Sequence, residues 1–262
     1  MTSNINSPRW EQVLSGLFNR MGVTVMRTSS VGAQLPMEAI DLDRDIIRAV
    51  RPFTMTSDAR VWSLIQAVQY ACDGPIDGDI VECGVWRGGS MMAAALKLVS
   101  LGQTDRTLWL YDTFAGMTPP TPEDREAASG ASAHELLEST QLGDGNNIWC
   151  LADEVDVRAN MSSTKYPLDN MRFIKGDVAQ TLEEHVPQQI SILRLDTDWY
   201  ASTQAELHHL YERVVPGGVC ILDDYGHWQG ARQAVDEFFE LKPPRPLMIP
   251  IDYSGRLFIK PC

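Results

Sequence analysis

The stretch from Gly78 to Ser90, Gly-Asp-Ile-Val-Glu-Cys-Gly-Val-Trp-Arg-Gly-Gly-Ser, constrains the fold more than any other part of the chain. Asp79-Ile80-Val81-Glu82-Cys83 is short, mostly apolar and rich in β-branched residues, which predicts a central parallel strand. Gly84, Gly88 and Gly89 then permit a tight turn and a close approach of a ligand to the backbone. Ser90 opens an apolar run from Met91 to Val99, suited to a helix packed on a sheet. Strand, glycine turn and helix in that order make a cradle for a cofactor.

The spacing inside the cradle narrows the ligand. A dinucleotide fingerprint needs G-x-G-x-x-G, so that a helix N-terminus meets a pyrophosphate. Here the pattern is Glu82-x-Gly84-x-x-x-Gly88, with an acid just before the turn. A carboxylate there repels a pyrophosphate and suits a cationic ligand. The pattern resembles the first motif of the S-adenosylmethionine-dependent methyltransferases, where the acidic residue faces the methionine end of the cofactor.

A chain of 262 residues, 44% hydrophobic and 22% charged, can bury a full core and reads as one soluble domain with a sizeable insertion. Its net charge of −13 disfavours a broad phosphate-binding face, so no nucleic-acid partner is expected. Cys72, Cys83, Cys150, Cys220 and Cys262 form no C-x-x-C pair and read as reduced residues of a cytoplasmic protein. No apolar run reaches the length of a membrane span, and neither secretion nor membrane insertion is expected.

Along the chain, Trp10, Val13, Leu14, Leu17 and Phe18 lie at helical spacing, and a second short helix is expected around Asp41 to Val50. Ser57 suits the N-cap of a helix from Asp58 to about Cys72, with Val61, Leu64, Ile65, Val68 and Ala71 on its buried face. Further strands are predicted at 107–111, 171–175, 190–195 and 219–222. A helix from Ser202 to Val215 is expected to close at Pro216-Gly217-Gly218, followed by a helix over 228–239 and a terminal hairpin from 247–251 and 256–260. Between Gly116 and about Asn170 the rhythm stops: Pro119, Pro120 and Pro122 mark a loop, Gly143 to Asn147 a turn cluster, and Glu135-Leu136-Leu137 and Ala152 to Val155 short helices. Such an insertion is commonly a lid or binding loop, and substrate selection is expected there.

The strands end in acids: Glu82, Asp112, Asp177, Asp196, and Asp223 with Asp224. Open α/β sheets bind ligands at the carboxyl ends of their strands, so these residues converge on one rim. Asp112 can accept hydrogen bonds from both ribose hydroxyls of either adenosylmethionine or NAD and does not choose between them. Asp177 can face an adenine amino group or sit unengaged in a turn. Asp196, Asp223 and Asp224 have only Arg194 nearby in sequence, and close carboxylates repel unless a cation or shared protons intervene. Hard oxygen donors suit Mg²⁺, against the alternative of scattered, solvated aspartates. An alcohol loses its proton only far above neutral pH, so a hydroxyl acceptor gains from metal coordination while a carboxylate takes the proton. Asp196 is the first candidate for that base, with Asp198 and His227 as second choices.

Taken together, Glu82-Cys83-Gly84-Val85-Trp86-Arg87-Gly88-Gly89, Tyr111-Asp112-Thr113-Phe114-Ala115-Gly116, Leu195-Asp196-Thr197-Asp198 and Leu222-Asp223-Asp224-Tyr225 resemble the macrocin O-methyltransferase family. The resemblance runs from about Phe53 to the C-terminus. Its enzymes methylate sugar hydroxyls on macrolide and aminocoumarin antibiotics, using S-adenosylmethionine and Mg²⁺. The resemblance implies an α/β, Rossmann-like class I methyltransferase fold with a seven-stranded, mostly parallel sheet and an antiparallel C-terminal hairpin. An N-terminal helical region would occupy 1–57 and the methyltransferase domain 58–262, with a helical lid at about 116–170. Glu82, Gly84, Ser90, Asp112, Thr113, Asp177 and Val178 would hold the cofactor, and Thr54, Met55 and Ser57 would close over its methionine end. Asp196, Asp223 and Asp224 would hold the metal.

The catechol type of O-methyltransferase places a lysine base three residues after the first metal aspartate. Here that position is Trp199, which favours a carboxylate base and a sugar alcohol over a catechol. Within the family the sequence is similar to members acting on the noviose 4-hydroxyl in novobiocin biosynthesis, so a small glycosylated acceptor is the expected partner, and a homodimer is expected. Two rivals stand beside this reading. An NAD-dependent oxidoreductase is disfavoured by Glu82 and the missing third glycine pattern, and a catalytically silent methyltransferase-like binding protein by the intact set of strand-end acids.

Overall fold

The computed structural model describes residues 35–140 and 149–261. The helical pattern at Trp10 to Phe18, the turn cluster at Gly143 to Asn147 and Cys262 lie outside the described residues. Seven strands form one sheet: β1 (Asp79–Cys83), β2 (Leu108–Asp112), β3 (Met171–Lys175), β4 (Ile190–Leu195), β5 (Val214–Leu222), β6 (Ile249–Pro250) and β7 (Arg256–Ile259). Their spatial order is β3-β2-β1-β4-β5-β7-β6. The first five are parallel, and β7 runs antiparallel between β5 and β6. The order reverses between β1 and β4, which places the ligand crevice of such a sheet at their carboxyl ends.

Burial accounts for the strands. All six residues of β4 are buried, as expected where helices cover both faces of a parallel sheet. On one face Ile80, Leu108, Leu110, Ile192 and Ile221 pack against α2 (Asp58–Asp73) and α3 (Gly89–Ser100). On the other, Val81, Cys83, Leu193, Leu195 and Cys220 pack against α7 (Tyr200–Leu210) and α8 (Gln229–Glu240). The expected inward face of α2 is buried as read, and Ser57 caps it by accepting from the Arg60 backbone N–H. Ahead of it, α1 (Asp41–Val50) is tied on by a buried ion pair between Asp43 and Lys97 at 3.2 Å, with Trp62 and Gln66 also donating to Asp43.

Three expectations need correction. The helix expected to run to Val215 stops at Leu210, a 3₁₀ turn follows over Tyr211–Arg213, and Pro216-Gly217-Gly218 lies inside β5. The register jumps from Ile190 opposite Val214 to Ile192 opposite Val219, so the Pro-Gly-Gly segment bulges out of the ladder where a missing N–H is tolerated. In the insertion, α4 (Ala133–Ser139) is close to expectation, whereas α5 (Glu154–Ser163) is much longer than the Ala152 to Val155 segment suggested. Asp153 caps α5, and Arg87 from the glycine turn pairs with Asp156 at 2.8 Å. After β3, α6 (Val178–Thr181) is one short turn capped by Asp177. The terminal hairpin strands, Ile249–Pro250 and Arg256–Ile259, are shorter than read, and at the turn the Asp252 carboxylate accepts from the Ser254 and Gly255 amides.

Candidate active site

A cavity of about 260 Å³ opens at the carboxyl ends of the strands. Gly84 and Ser90 reach it from the glycine turn, Asp112 and Thr113 from the end of β2, and Asp177 and Val178 from the end of β3. Thr54 and Met55, ahead of α2, and the insertion residues Met117 and Thr118 complete the same wall. Asp196, Asp198, Asp223, Asp224 and His227 line it from the turns after β4 and β5. The strand-end acids other than Glu82 therefore meet as the sheet topology requires.

The turn owes its shape to backbone contacts. Gly84 has φ +81°, and a Cβ there would fall 2.0 Å from the Asp196 carbonyl oxygen, so only glycine lets the β1 and β4 turns lie together. Asp112 locks the loop from the other side: Oδ2 accepts from the Val85 and Trp86 amides at 2.8 and 3.1 Å, and Oδ1 from Phe114 at 2.8 Å. Burial pushes the Asp112 carboxyl up, and these amides oppose the shift. The aspartate read from sequence as a ribose contact is thus also the staple of the cradle.

Two residues expected at the cofactor do not line the cavity. Ser57 caps α2, and its hydroxyl donates to Asp252 at 2.6 Å. Glu82, 1% exposed, lies beneath the floor and receives the Arg194 guanidinium. The motif acid does meet a cation, but it is the protein's own.

Asp196, Asp223 and Asp224 each offer an oxygen within 4.8 Å of the others. Their charges are managed unequally. Burial raises Asp223, but the guanidiniums of Arg194 and Arg60 outweigh it and hold the carboxyl below its ordinary range. Burial and the neighbouring carboxylates push Asp196 and Asp224 well up despite the arginines. Asp198, half-buried beside Asp196 and accepting from Trp228 Nε1 at 2.8 Å, is pushed up to about 7 by desolvation and by the Asp196 carboxylate. The His227 imidazole is lowered by burial.

Sequence reasoning missed Arg60, the one lysine or arginine on the cavity wall among the described residues. Its signal was available, since it lies four residues before Leu64 on the stripe of α2 that faces the sheet. Also missed were Thr56, which donates to Asp223 Oδ2 at 2.9 Å, and Glu206 of α7, which receives Thr197 Oγ1 at 2.8 Å. Trp199, at the position where a lysine base would stand, is buried, donates to the Thr118 carbonyl at 2.9 Å and meets Trp228 edge to face. The tryptophan pair fastens the insertion to the acid-bearing turns.

A sheet of this order, with its glycine turn and its ring of acids around one crevice, defines a class I S-adenosylmethionine-dependent methyltransferase. The chain belongs to the macrocin O-methyltransferase (TylF) family, whose model matches residues 5–260. It is 34% identical over 185 residues to the 8-demethyl-8-(2,3-dimethoxy-alpha-L-rhamnosyl)-tetracenomycin-C 4'-O-methyltransferase of Streptomyces olivaceus, covering 71% of this chain and 67% of that one. It is 32% identical over 202 residues to the demethyldecarbamoylnovobiocin O-methyltransferase of Streptomyces niveus, covering 77% and 73%. The solved structure of the O-methyltransferase NovP superimposes with a TM-score of 0.69 at 28% identity, covering 80% of this chain and 83% of that one. These likenesses set aside the oxidoreductase and the silent-domain readings. No helix among the described residues is long and apolar enough to cross a membrane.

Proposed function

We propose that the cavity brings the sulfonium of S-adenosylmethionine and a sugar hydroxyl of a glycosylated antibiotic together beside Asp196, Asp223 and Asp224, with Asp196 as general base. The observation that carries this reading is that one cavity holds both the nucleoside-side acids, Asp112 and Asp177, and the carboxylate cluster. Its wall suits a sulfonium and opposes a pyrophosphate, because six aspartates face a single guanidinium. Gly84, Ser90, Asp112, Thr113, Asp177 and Val178 are the residues we assign to the cofactor, with Thr54 and Met55 at its methionine end.

The cluster also fits Mg²⁺. Its donors are all hard oxygens, and Asp224 Oδ2 is buried without a partner. Asp196 and Asp224 would hold the ion, with Asp223 sharing an oxygen that already accepts from an arginine. A divalent cation there lowers the pKa of an acceptor hydroxyl and offsets the mutual repulsion of the carboxylates. Asp196 keeps 27% of its side chain exposed toward the cavity, where it can accept the hydroxyl proton as the oxygen takes the methyl group. The insertion adds Met117 and Thr118 to the same cavity wall, with the Thr118 carbonyl held by Trp199.

The relatives point to a deoxysugar acceptor, and the noviose 4-hydroxyl of a novobiocin precursor is the first candidate because the novobiocin relative supports it. The test is methyl incorporation from labelled S-adenosylmethionine across noviose-, rhamnose- and macrolide-sugar-bearing precursors. We expect transfer to a sugar oxygen, loss of turnover in EDTA and recovery with Mg²⁺. Indifference to chelation removes the metal from the mechanism, and transfer to none of the sugars by a protein that binds the donor removes the acceptor class.

A further inference from the structure

The floor of the cluster is built around Arg194, 2% exposed at the end of β4. Nη1 donates to Glu82 and to Asp196 Oδ2, the latter at 2.6 Å; Nη2 donates to Asp223 Oδ1 at 2.6 Å and to Thr56 Oγ1 at 2.8 Å. One guanidinium thus ties together β1, the turn after β4, the turn after β5 and the segment before α2. The register explains how. Glu82 and Arg194 are lateral neighbours on β1 and β4, and Ile221 of β5 lies opposite Arg194, so Asp223 two residues on returns to the same face.

We propose that Arg194 is a positioning residue for the cation site: its fork sets the spacing of Asp196 and Asp223, and Glu82 below anchors the fork. The inference rests on the metal reading given above. A planar guanidinium presents donors at fixed angles, so it can hold carboxylates from two adjacent strands at once, whereas an ammonium on a flexible stem is a point charge without that geometry. Glu82 accordingly serves the site from underneath rather than by touching the cofactor. Thr56 extends the brace, because its hydroxyl donates to Asp223 while accepting from Arg194, and so joins the segment carrying Thr54 and Met55 to the same floor. Partners that orient a metal ligand from outside contribute about 10–100-fold to metal affinity.

The experiment titrates Mn²⁺ alone into the full chain, followed by electron paramagnetic resonance of the free ion, with S-adenosylhomocysteine affinity measured by calorimetry in parallel. Arg194→Lys keeps the charge and loses the fork, and is expected to weaken Mn²⁺ binding about 10–100-fold while S-adenosylhomocysteine affinity without metal is largely kept. Glu82→Gln and Thr56→Val are expected to weaken Mn²⁺ in the same direction by a smaller factor, and they decide the matter if the lysine variant does not fold. Folded variants that melt earlier but bind Mn²⁺ as the unsubstituted protein does would show a purely structural role and overturn the proposal. Failure of the unsubstituted protein to bind Mn²⁺ overturns the metal reading itself, and this inference with it.

Discussion

A carboxylate shut away from water needs either a proton or a cation, and the acids of this site divide between the two. Asp223 has two guanidiniums, while Asp196, which shares Arg194, and its neighbours Asp198 and Asp224 are held toward protonation by burial and by one another. Replacing Asp196 by Asn removes the proposed base and is expected to lower kcat by about 10²–10⁴-fold with S-adenosylhomocysteine affinity kept, as single-turnover kinetics and calorimetry would show. Glu206 stands apart from the cluster: burial raises its carboxyl well above the ordinary 4.5, and the Thr197 hydrogen bond only partly opposes this. An acid raised in the folded state contributes stability that is present below its unfolded pKa and lost as pH rises from there toward the folded value. The melting temperature of Glu206→Gln relative to the unsubstituted protein should therefore become more favourable between pH 5 and pH 8; a constant difference would mean that Glu206 is ionised in the fold. That acids stand at the strand ends was legible in sequence, because each apolar run stops at one. Arg60 and Thr56 were not assigned to the site, since they meet Asp223 across 163 and 167 residues of chain.

At the scale of elements, β1 and β4 matched their sequence readings because a strand buried on both faces is an apolar run with clear ends, and β3, an edge strand with Arg172 and Lys175 exposed, matched because Gly176 marks its end. The start of β5 was hidden by Pro216-Gly217-Gly218, which reads as a helix stop when the pairing partner that absorbs the bulge is not known. The length of α5 was hidden because only Val157, Asn160 and Met161 of that helix are buried, too few to mark a stripe. The insertion is held by one buried side chain above all. Asp124 Oδ2 accepts from the Thr121 amide and hydroxyl at 2.6 and 2.8 Å, and Oδ1 from the Tyr200 amide at the start of α7 at 2.7 Å. Asp124→Ala leaves those donors unpaired and is expected to cost about 1–3 kcal/mol per unsatisfied buried group, read by thermal denaturation. Because the anchor serves the insertion, KM for the sugar acceptor should rise more than KM for S-adenosylmethionine; equal changes in both would argue against a separate acceptor side.

Over the whole molecule, the expected sheet with its antiparallel edge is present, and the reversal of strand order between β1 and β4 decides where everything else gathers. The β2 and β3 ends contribute Asp112 and Asp177 to the cavity, while the turns after β4 and β5 contribute Asp196, Asp223 and Asp224, so in the proposed reaction the nucleoside and the reacting oxygen would approach from opposite halves of one sheet. The long insertion leaves from β2 and returns at β3, two strands that are paired in register from Leu108 opposite Met171 to Asp112 opposite Lys175. Because the two strands are parallel, the segment leaves beside Lys175 at the Asp112 end and returns beside Leu108 at the Met171 end, so its two ends are held one strand length apart whatever chain lies between them. This makes the segment an exchangeable cassette on a constant chassis. A chimera carrying a relative's segment in place of 117–169, with equivalents of Thr118, Asp124, Asp156 and Asn160 retained, should adopt the donor enzyme's sugar preference while its grip on the methyl donor stays unaltered. Diversification of such enzymes toward new glycosides can then proceed by swapping one loop, with the methylating machinery left untouched.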